Sequence, residues 1–419
     1  MASWLLMSLE LPLLTAVAAR LGDAEINLAA YGGIVYPIAL TIEGPVIMLL
    51  AASTALSRDW ASYQKLKKIT LIIGGSLSLL HLIIAITPLY DFIVRVLLNS
   101  PEAIIEPARL ALLFMSPWTL AIGYRRFQQG TMIRFEHTHM VGETTIIRLL
   151  TVGIVLTVGM ITKRLPGVLL AGLAQGLGVS FEAIYAGLRI RKILPDIKAA
   201  PPTQTPLSTK RFVSFFTPLA LTSSIWLLWQ PVISGTVSHM PDPVRSLAIW
   251  SVVASLLFVF RSPGVAYNEA VVALLEEPHS YFVLRKFALI TSLTITGLVV
   301  VFVLTPLSRF WFSSISNLST MNVAIARLAL ALGLPLTFLS MMISFYQGII
   351  VHFEKTRPVA EAVVVFLLTM LLMLIAGVLS YAIKGVYVAT AAFSLAHLMQ
   401  ALWLMMRSKK QRRKFIELG

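Results

Sequence analysis

The chain has 419 residues, of which 57% are hydrophobic and 13% are charged, and its formal net charge at pH 7 is +15. Soluble domains carry about 25% charged residues, so this composition excludes an ordinary soluble enzyme and a disordered chain and indicates a polytopic membrane protein. The chain has no cysteine, which excludes a disulfide scaffold, a catalytic thiolate and a cysteine-ligated metal site. In a membrane protein, the basic excess indicates topology and contact with anionic lipid rather than with nucleic acid.

Twelve apolar stretches are long enough to cross a bilayer, which requires about 20 mostly apolar residues. In chain order they lie at residues 1–19, 30–54, 69–94, 104–124, 141–162, 167–188, 213–237, 244–272, 285–308, 322–348, 358–380 and 385–406. The sequence therefore predicts an all-α polytopic membrane protein with twelve transmembrane helices. Their connections are short, apart from a proline-containing segment before the seventh span. We expect an N-terminal six-helix half at 1–190, a cytoplasmic linker at 191–211, a C-terminal six-helix half at 212–407 and a basic cytoplasmic tail at 408–419.

The Lys and Arg residues are distributed unequally between the two sides of these spans. The even-numbered connections and the C-terminus hold 23 of them, including Arg125, Arg126 and Arg134, and the odd-numbered connections hold 7. Basic residues favour the cytoplasmic side of a membrane. We therefore expect a multi-pass protein of the cell membrane with both termini in the cytoplasm.

The sequence contains an internal repeat, and equivalent residues in its two copies are as far apart as Pro45 and Pro263. This separation, here called the repeat offset, is one residue longer for positions before the second span. Other equivalent positions at this repeat offset are Gln129-Gly130 and Gln347-Gly348, and the acidic pair Glu143 and Glu361. Each half has six spans, so both halves enter the membrane in the same direction. Parallel repeats of this kind enclose a central cavity in transporters.

The repeat also predicts that the first helix lacks its cytoplasmic beginning. The seventh span starts near Phe212, and the equivalent position in the first half lies ahead of Met1. We expect either a start site placed too late or a trimmed chain. The alternative, a cleaved signal peptide, is disfavoured because no basic residue precedes the apolar run and Glu10 interrupts it.

Ionisable side chains inside apolar spans are costly and indicate functional sites. Glu10 lies midway along the first span, and Glu43 lies in the second span beside Gly44-Pro45. At the repeat offset, Glu43 corresponds to Arg261 of the eighth span. Either these two residues face each other across the central cavity, or each contacts a neighbour within its own half.

Further candidates for substrate or coupling-ion binding are Gln230, Asn268 and Glu269. Gln230 lies beside a proline and two tryptophans, which suits an amphipathic ligand, although indoles also pack in cores and at membrane interfaces. Asn268 and Glu269 follow Arg261 by about two helical turns, where Glu269 either serves transport or marks the cytoplasmic end of the span.

Arg148 and Glu182 lie in the cytoplasmic halves of spans five and six. They either form an inner gate or extend toward the lipid headgroups. Glu143 and Glu361 are expected to pair with nearby basic residues. The sequence shows no phosphate-binding Gly-rich loop, no catalytic triad and no metal-ligand cluster, so we expect neither an enzyme nor a metal or organic cofactor.

The repeated segment after spans four and ten resembles a known family. It reads Gln129-Gly130…Phe135-Glu136-His137-Thr138-His139 in the first copy and Gln347-Gly348…Phe353-Glu354-Lys355-Thr356-Arg357-Pro358 in the second. This pattern resembles the turns after spans four and ten of multidrug and toxic compound extrusion (MATE) transporters. With its two six-span halves, the whole chain resembles the wider multidrug/oligosaccharidyl-lipid/polysaccharide (MOP) exporter superfamily. Within it, Leu28–Gly32, Gly44-Pro45 and Ser214–Leu221 are similar to the progressive ankylosis protein branch.

The resemblance implies export by alternating access, often as antiport against H⁺ or Na⁺. We expect a secondary active transporter that exports a small organic solute, and Arg148 and Arg261 permit an organic anion. The alternative is a flippase for a lipid-linked envelope precursor, whose pyrophosphate would bind the same arginines. A membrane-embedded enzyme is disfavoured because no catalytic motif is evident. We expect a monomer that contacts anionic lipid at its cytoplasmic face and does not bind nucleic acid.

Overall fold

The computed structural model describes residues 2–203, 205–275, 278–353, 355 and 357–418. The described chain is helical and contains no strand. The α-helices are α1 (Ala2–Ala18), α2 (Ala24–Ala30), α3 (Tyr36–Ile47), α4 (Leu49–Leu56), α5 (Trp60–Ile86), α6 (Leu89–Asp91), α7 (Glu102–Phe114), α8 (Trp118–Arg134), α9 (His139–Thr162), α10 (Gly167–Arg189), α11 (Leu194–Ala199), α12 (Thr209–Leu227), α13 (Trp229–Ser238), α14 (Pro243–Leu274), α15 (Pro278–Leu304), α16 (Pro306–Phe310), α17 (Thr320–Leu332), α18 (Pro335–His352), α19 (Arg357–Ser380), α20 (Gly385–Arg407) and α21 (Lys409–Leu418). π-helical turns lie at Tyr31–Val35, Phe92–Leu97 and Trp311–Ile315, and a 3₁₀ turn lies at Ile190–Lys192.

Ten continuous helical segments of the described chain are long and apolar enough to cross a membrane. They correspond to ten of the twelve predicted spans and confirm a multi-pass membrane protein. The first predicted span is α1, which is shorter at 17 residues. The fourth forms α7 and α8, where three arginines lower the hydropathy of the segment.

The helices form two compact units. One unit, here called the amino-terminal unit, comprises residues 20–235, and the carboxy-terminal unit comprises residues 1–19 and 236–419. This division differs from the predicted halves in the first helix of each half. Helix α1 packs against α14 in the carboxy-terminal unit, whereas α12 packs against α3 in the amino-terminal unit. The division of the sequence at residues 190 and 212 stays a prediction about the repeat.

Polar side chains fix where several of these helices begin. Asp59 accepts a hydrogen bond from the backbone N–H of Ser62, whose hydroxyl in turn bonds to the backbone of Asp59. Ser208 caps α12 through the N–H of Arg211, and Asp23 caps α2 in the same manner. These caps satisfy N–H groups that the first helical turn leaves without a partner.

The two units make the same unusual turns at equivalent positions. Asn99 and Asn317 have φ angles of 46° and 52°, and Lys163 and Tyr381 have φ angles of 51° and 44°. The members of each pair are separated by the repeat offset. Because left-handed backbone is uncommon outside glycine, its recurrence at the repeat offset is a structural sign of the duplication.

The glycines of the repeated Gln-Gly motif permit close helix packing. A Cβ at Gly130 would collide with Ser53 of α4, and a Cβ at Gly348 would collide with Val271 of α14. Ser53 and Val271 are themselves repeat equivalents. The Gln-Gly motif therefore has a packing role in both units, while Glu354 and Thr356 of its second copy lie outside the described residues.

The repeat extends beyond the last predicted span of each half into a short amphipathic helix. Helix α11 buries Ile197 completely, and the ammonium of Lys198 lies 5.0 Å from the centroid of the Trp60 ring on α5. Helix α21 places Phe415 against Tyr281 of α15, with the ring centroids 5.6 Å apart. Ile197 and Phe415 are separated by the repeat offset, so the linker helix and the tail helix are equivalent elements.

Candidate functional sites in the two units

A network of buried polar and charged side chains joins α8, α9 and α10 of the amino-terminal unit. Glu182 is 0% exposed and accepts a hydrogen bond of 2.9 Å from Arg125, which is itself 1% exposed. Gln129 donates to Thr144 at 2.8 Å, and both side chains lie 3.4 Å from the same carboxylate oxygen. Arg148 lies 3.8 Å from the second oxygen. The surrounding donors stabilise a carboxylate that would otherwise be strongly disfavoured away from water.

Arg126 extends this network toward α3. Its guanidinium interacts electrostatically with Glu43 as well as with Glu182, Arg125 and Arg148. Glu43 is 4% exposed and lies within the membrane-spanning segment 24–56. The described cluster therefore holds three guanidinium groups and two carboxyl groups, and its formal charge is positive.

The structure brings three sequence candidates, Glu43, Arg148 and Glu182, into this one cluster. The placement of Arg125 and Arg126 in a connection after a span ending at residue 124 was wrong. Helix α8 continues to Arg134 and buries Arg125 inside the unit. A hydropathy scale treats a buried arginine as strongly unfavourable, because it does not include the ion pair that Arg125 forms with Glu182. Arg125 and Gln129 are four residues apart, and this spacing alone could have predicted that they share one polar face of the helix.

Arg261 forms the centre of a second site, in the carboxy-terminal unit. Its Nε donates a 2.8 Å hydrogen bond to the hydroxyl of Ser340 on α18. Its Nη2 lies 2.6 Å from Nε2 of His397 on α20. Its guanidinium carbon lies 5.0 Å from the centroid of the Phe393 ring, which is a cation–π geometry. Three helices therefore fix this one cationic side chain.

The hydrogen bonds of His397 define its tautomer. Nδ1 lies 2.8 Å from the backbone carbonyl of Phe393, which can only accept a hydrogen bond, so Nδ1 carries the proton. Nε2 then accepts from Arg261, which makes the imidazole neutral. The ring is held edge-on by Phe366 and Phe393, at centroid distances of 4.9 and 4.4 Å.

Arg261 is thus held by a hydroxyl, a neutral imidazole and an aromatic ring. The hydrogen bonds and the ring contact that hold its guanidinium in the described part of the chain all come from neutral groups. Arg261 was a candidate from the sequence, whereas Ser340 and His397 were not. A serine and a histidine on apolar helices gave no signal, because most such residues simply complete local hydrogen bonds.

The remaining candidates are distributed over both units. Glu10 is 2% exposed on α1 of the carboxy-terminal unit, and Gln230 is partly buried on α13 of the amino-terminal unit. Glu269 is exposed and accepts a 3.4 Å hydrogen bond from the indole of Trp4. Asn268 lies at the α14–α18 contact beside Gly348. Glu43 and Arg261 belong to different units, so their pairing stays a prediction.

Glu143 and Glu361 form the ion pairs expected for repeat equivalents. Glu143 pairs with Arg189, and Glu361 pairs with Arg407. The two arginines are also separated by the repeat offset. The shared geometry joins the first turn of one span to the end of the next in each unit, which is a structural role.

Neither a protein-family model nor a curated protein matches the sequence. Solved structures match nearly the whole chain. An inward-facing multidrug resistance transporter of the MATE family, in the MOP superfamily, is 14% identical, with 96% of this chain and 95% of that chain covered and a TM-score of 0.74. The lipid II flippase MurJ, in an inward closed conformation, is 16% identical, with 98% and 88% covered and a TM-score of 0.69.

The chain has the fold of these solved structures, which is here called the MOP fold. A MOP superfamily transporter from Pyrococcus furiosus, described as having a binding pocket of reverse polarity that suggests a different function, matches with 15% identity, 97% and 96% coverage and a TM-score of 0.56. This similarity of fold agrees with the resemblance found in the repeated Gln-Gly segment. MATE transporters have twelve transmembrane helices, in agreement with the predicted number of spans. The narrower similarity to the progressive ankylosis protein branch stays a prediction.

Proposed function

We propose that this MOP-fold chain is a secondary active transporter that exports a small organic anion by alternating access between its two six-helix halves. Arg261 is the observation that carries the proposal. It is a half-buried cation on a membrane-spanning helix, and among the described residues it is held by neutral groups only. A cation in an apolar medium requires a compensating anion, and the planar guanidinium fits carboxylate or phosphate oxygens.

The groups around Arg261 favour an anion with an apolar body. The hydroxyl of Ser340 and the imidazole of His397 provide polar contacts beside the guanidinium. The rings of Phe366 and Phe393 supply apolar surface within the same cluster. Ligand sites combine apolar lining with a few placed polar groups in this manner. An aromatic or aliphatic carboxylate or phosphate would therefore fit better than a small inorganic ion.

The coupling ion is proposed to be H⁺ or Na⁺, with Glu10 and Glu43 as the candidate carboxylates. Both are buried, Glu43 in a segment long enough to cross a membrane and Glu10 in the shorter apolar helix α1. Ionisable groups in such surroundings serve ion pathways. Gln230, Asn268 and Glu269 remain candidates for substrate contact. The distribution of Lys and Arg supports a protein of the cell membrane with both termini in the cytoplasm and with anionic lipid at that face. The transporter is proposed to act as a monomer.

Uptake into inverted membrane vesicles tests the proposal. The panel comprises organic cations, organic anions and nucleotides, each with and without an imposed pH or Na⁺ gradient. We expect uptake of at least one organic anion that depends on a gradient and falls at least tenfold in Arg261→Gln. Glu10→Gln and Glu43→Gln should each lower the gradient dependence if they bind the coupling ion.

The matched control is Arg309→Gln, which removes an exposed arginine from the same unit. It should transport as the unsubstituted chain does. Uptake of cations alone, or anion uptake that is equal in Arg261→Gln and Arg309→Gln, would contradict the proposal.

The second candidate is a flippase for a lipid-linked envelope precursor. It is favoured by the fold similarity to a lipid II flippase and by the positive formal charge of the cluster around Glu182. Guanidinium groups would compensate a lipid-linked pyrophosphate as well as a soluble anion. Absence of uptake for every soluble compound, combined with loss of envelope polymer on deletion, would favour the flippase.

A further inference from the structure

We propose that His397 takes up one proton when an anion binds at Arg261, so that the anion and the proton occupy the site together. The inference rests on the proposed function, because it concerns the same anion. It adds a group that can gain and lose a proton, Nε2 of His397, to a site whose other charged group is the guanidinium of Arg261.

The hydrogen bond between Arg261 and His397 places the lone pair of Nε2 beside the position where an anion would bind. Nε2 accepts from Nη2 of Arg261 at 2.6 Å, and an acceptor nitrogen has a lone pair in that direction. An anion that bonds to the same edge of Arg261 brings its own oxygen lone pairs to Nε2. Two facing acceptors repel, and a proton on Nε2 converts the repulsion into a hydrogen bond to the anion.

The surroundings of His397 leave only Nε2 free to change its proton. The side chain is 4% exposed, and its Nδ1–H is already donated to the carbonyl of Phe393. The rings of Phe366 and Phe393 pack against the imidazole at centroid distances of 4.9 and 4.4 Å. The ring therefore does not need to turn when Nε2 gains a proton.

The electrostatic balance at His397 reverses when the anion arrives. Nη2 of Arg261 lies 2.6 Å from Nε2 of His397. Its positive charge opposes a second cation beside it, so the imidazole is neutral without a ligand. An anion between the two groups compensates Arg261 and favours the imidazolium.

Several other titratable groups lie on the helices around α20 and α14. Glu10 lies on α1, the helix that packs against α14. The contacts of the others include Arg245 with Asp242, Tyr267 with the Leu284 carbonyl, Glu269 with Trp4, Arg327 with Ser308, Tyr346 with Arg412, His352 with the Val272 carbonyl, and Glu361 with Arg357 and Arg407.

The proton moves from bulk water to Nε2 of His397, and no bond is broken in the anion. A monoanion and a proton then enter the site with no net charge added. Linkage requires that the anion raises the proton affinity of His397 by the same factor as the proton raises the anion affinity. Anion affinity should therefore rise as the pH falls, by up to about tenfold per pH unit.

Calorimetric titration of the purified chain in lipid nanodiscs tests this inference. Benzoate and butyrate are the probes, and each is titrated near neutral pH in two buffers of different ionisation enthalpy. The difference in apparent binding enthalpy between buffers gives the number of protons taken up. We expect a value near one for the unsubstituted chain.

His397→Gln is the informative variant, because its side-chain oxygen still accepts a hydrogen bond from Arg261. It should bind the probe without proton uptake and without the pH dependence. His279→Gln removes an exposed histidine of the same unit and should keep both. Saturable probe binding that requires Arg261 but takes up no proton in the unsubstituted chain would overturn the inference and leave the proposed function intact. Equal proton uptake in His397→Gln would also overturn it, whereas absence of binding for both probes together with absence of anion uptake in vesicles would overturn the proposed function.

Discussion

Glu182 shows how a buried carboxylate can be kept inside a membrane-spanning bundle. It is fully buried, and it contacts Arg125, Gln129 and Thr144 from two neighbouring helices. Buried ion pairs contribute little net stability compared with apolar residues of the same volume, but an unpaired partner is strongly destabilising. The pair is therefore expected to define which faces of α8 and α10 meet.

Removal of one partner should destabilise the chain more than removal of both. Arg125→Met leaves Glu182 without its closest donor and should lower the free energy of unfolding by about 3–5 kcal/mol. The double variant Arg125→Met/Glu182→Leu should recover most of that loss. The measurement is chemical denaturation in detergent followed by circular dichroism.

The control for this series is Arg134→Met, which removes an exposed arginine from the same helix. Its effect should stay within about 0.5 kcal/mol, as for most surface substitutions. A double variant that is as unstable as the sum of the two single variants would show that the pair is not coupled.

Asp59 is a buried carboxylate outside the spans, and it ties the linker to the amino-terminal unit. It accepts hydrogen bonds from the backbone N–H and hydroxyl of Thr203 and from the N–H of Ser62. Burial of Asp59 acts to raise its pKa, but these hydrogen bonds outweigh burial and hold the pKa below its ordinary value. Its contribution to stability is therefore present above the unfolded pKa of about 4 and is lost as the pH falls below that value.

Hydrogen exchange at the Thr203 amide reports this contact. We expect exchange, corrected for the intrinsic rate, to increase as the pH falls below about 4. Asp59→Asn removes the charge and should already raise exchange at pH 7, by about tenfold. Identical exchange in both chains at pH 7 would show that the charge of Asp59 does not hold the linker.

Equivalent residues of the two units keep their contacts while their chemistry changes. Tyr31 donates a hydrogen bond to Gln175 in the amino-terminal unit, and the equivalent Trp250 packs against Phe393 in the carboxy-terminal unit. Glu43 is replaced by Arg261 at the repeat offset. The repeat thus indicated which positions matter, but it could not indicate the partners of Arg261, because the equivalent of His397 is an apolar valine.

At the scale of helices, glycine determines how closely α14 and α18 approach. Gly348→Ala places a Cβ against Val271 and should destabilise the carboxy-terminal unit by about 1–3 kcal/mol. Gly153→Ala on α9 meets no atom within 4 Å and should be neutral or stabilising, because alanine is the better helix former. Thermal unfolding in detergent compares the two, and equal effects would contradict the packing role of Gly348.

Hydropathy was sufficient to locate most helices, because lipid exposure imposes long apolar stretches. It failed at the end of the fourth span, where Arg125 is buried by a partner that is distant in sequence. It also gave no information on α1 and α12, each of which packs in the unit of the other half. Helix partners depend on the shape of packed surfaces, and a one-dimensional pattern of apolar residues does not contain that shape.

At the scale of the whole chain, the duplication accounts for both the fold and the placement of candidate sites. Each unit carries buried charged or polar groups on its repeat-equivalent helices, and each ends in a short amphipathic helix packed on its own third span. The amino-terminal cluster is internally paired through Glu182, whereas the carboxy-terminal cluster holds Arg261 among neutral groups. This asymmetry is the reason for placing the anion at Arg261.

The absence of cysteine from the chain makes one measurement especially direct. Val265→Cys introduces a single thiol one helical turn from Arg261 on the same face of α14. Its reaction with a membrane-impermeant maleimide is measured in right-side-out and in inverted vesicles. We predict labelling from both sides, protection by a transported organic anion, and loss of that protection in Arg261→Gln. Labelling from one side only, or labelling that no anion changes, would contradict alternating access to an anion site at Arg261.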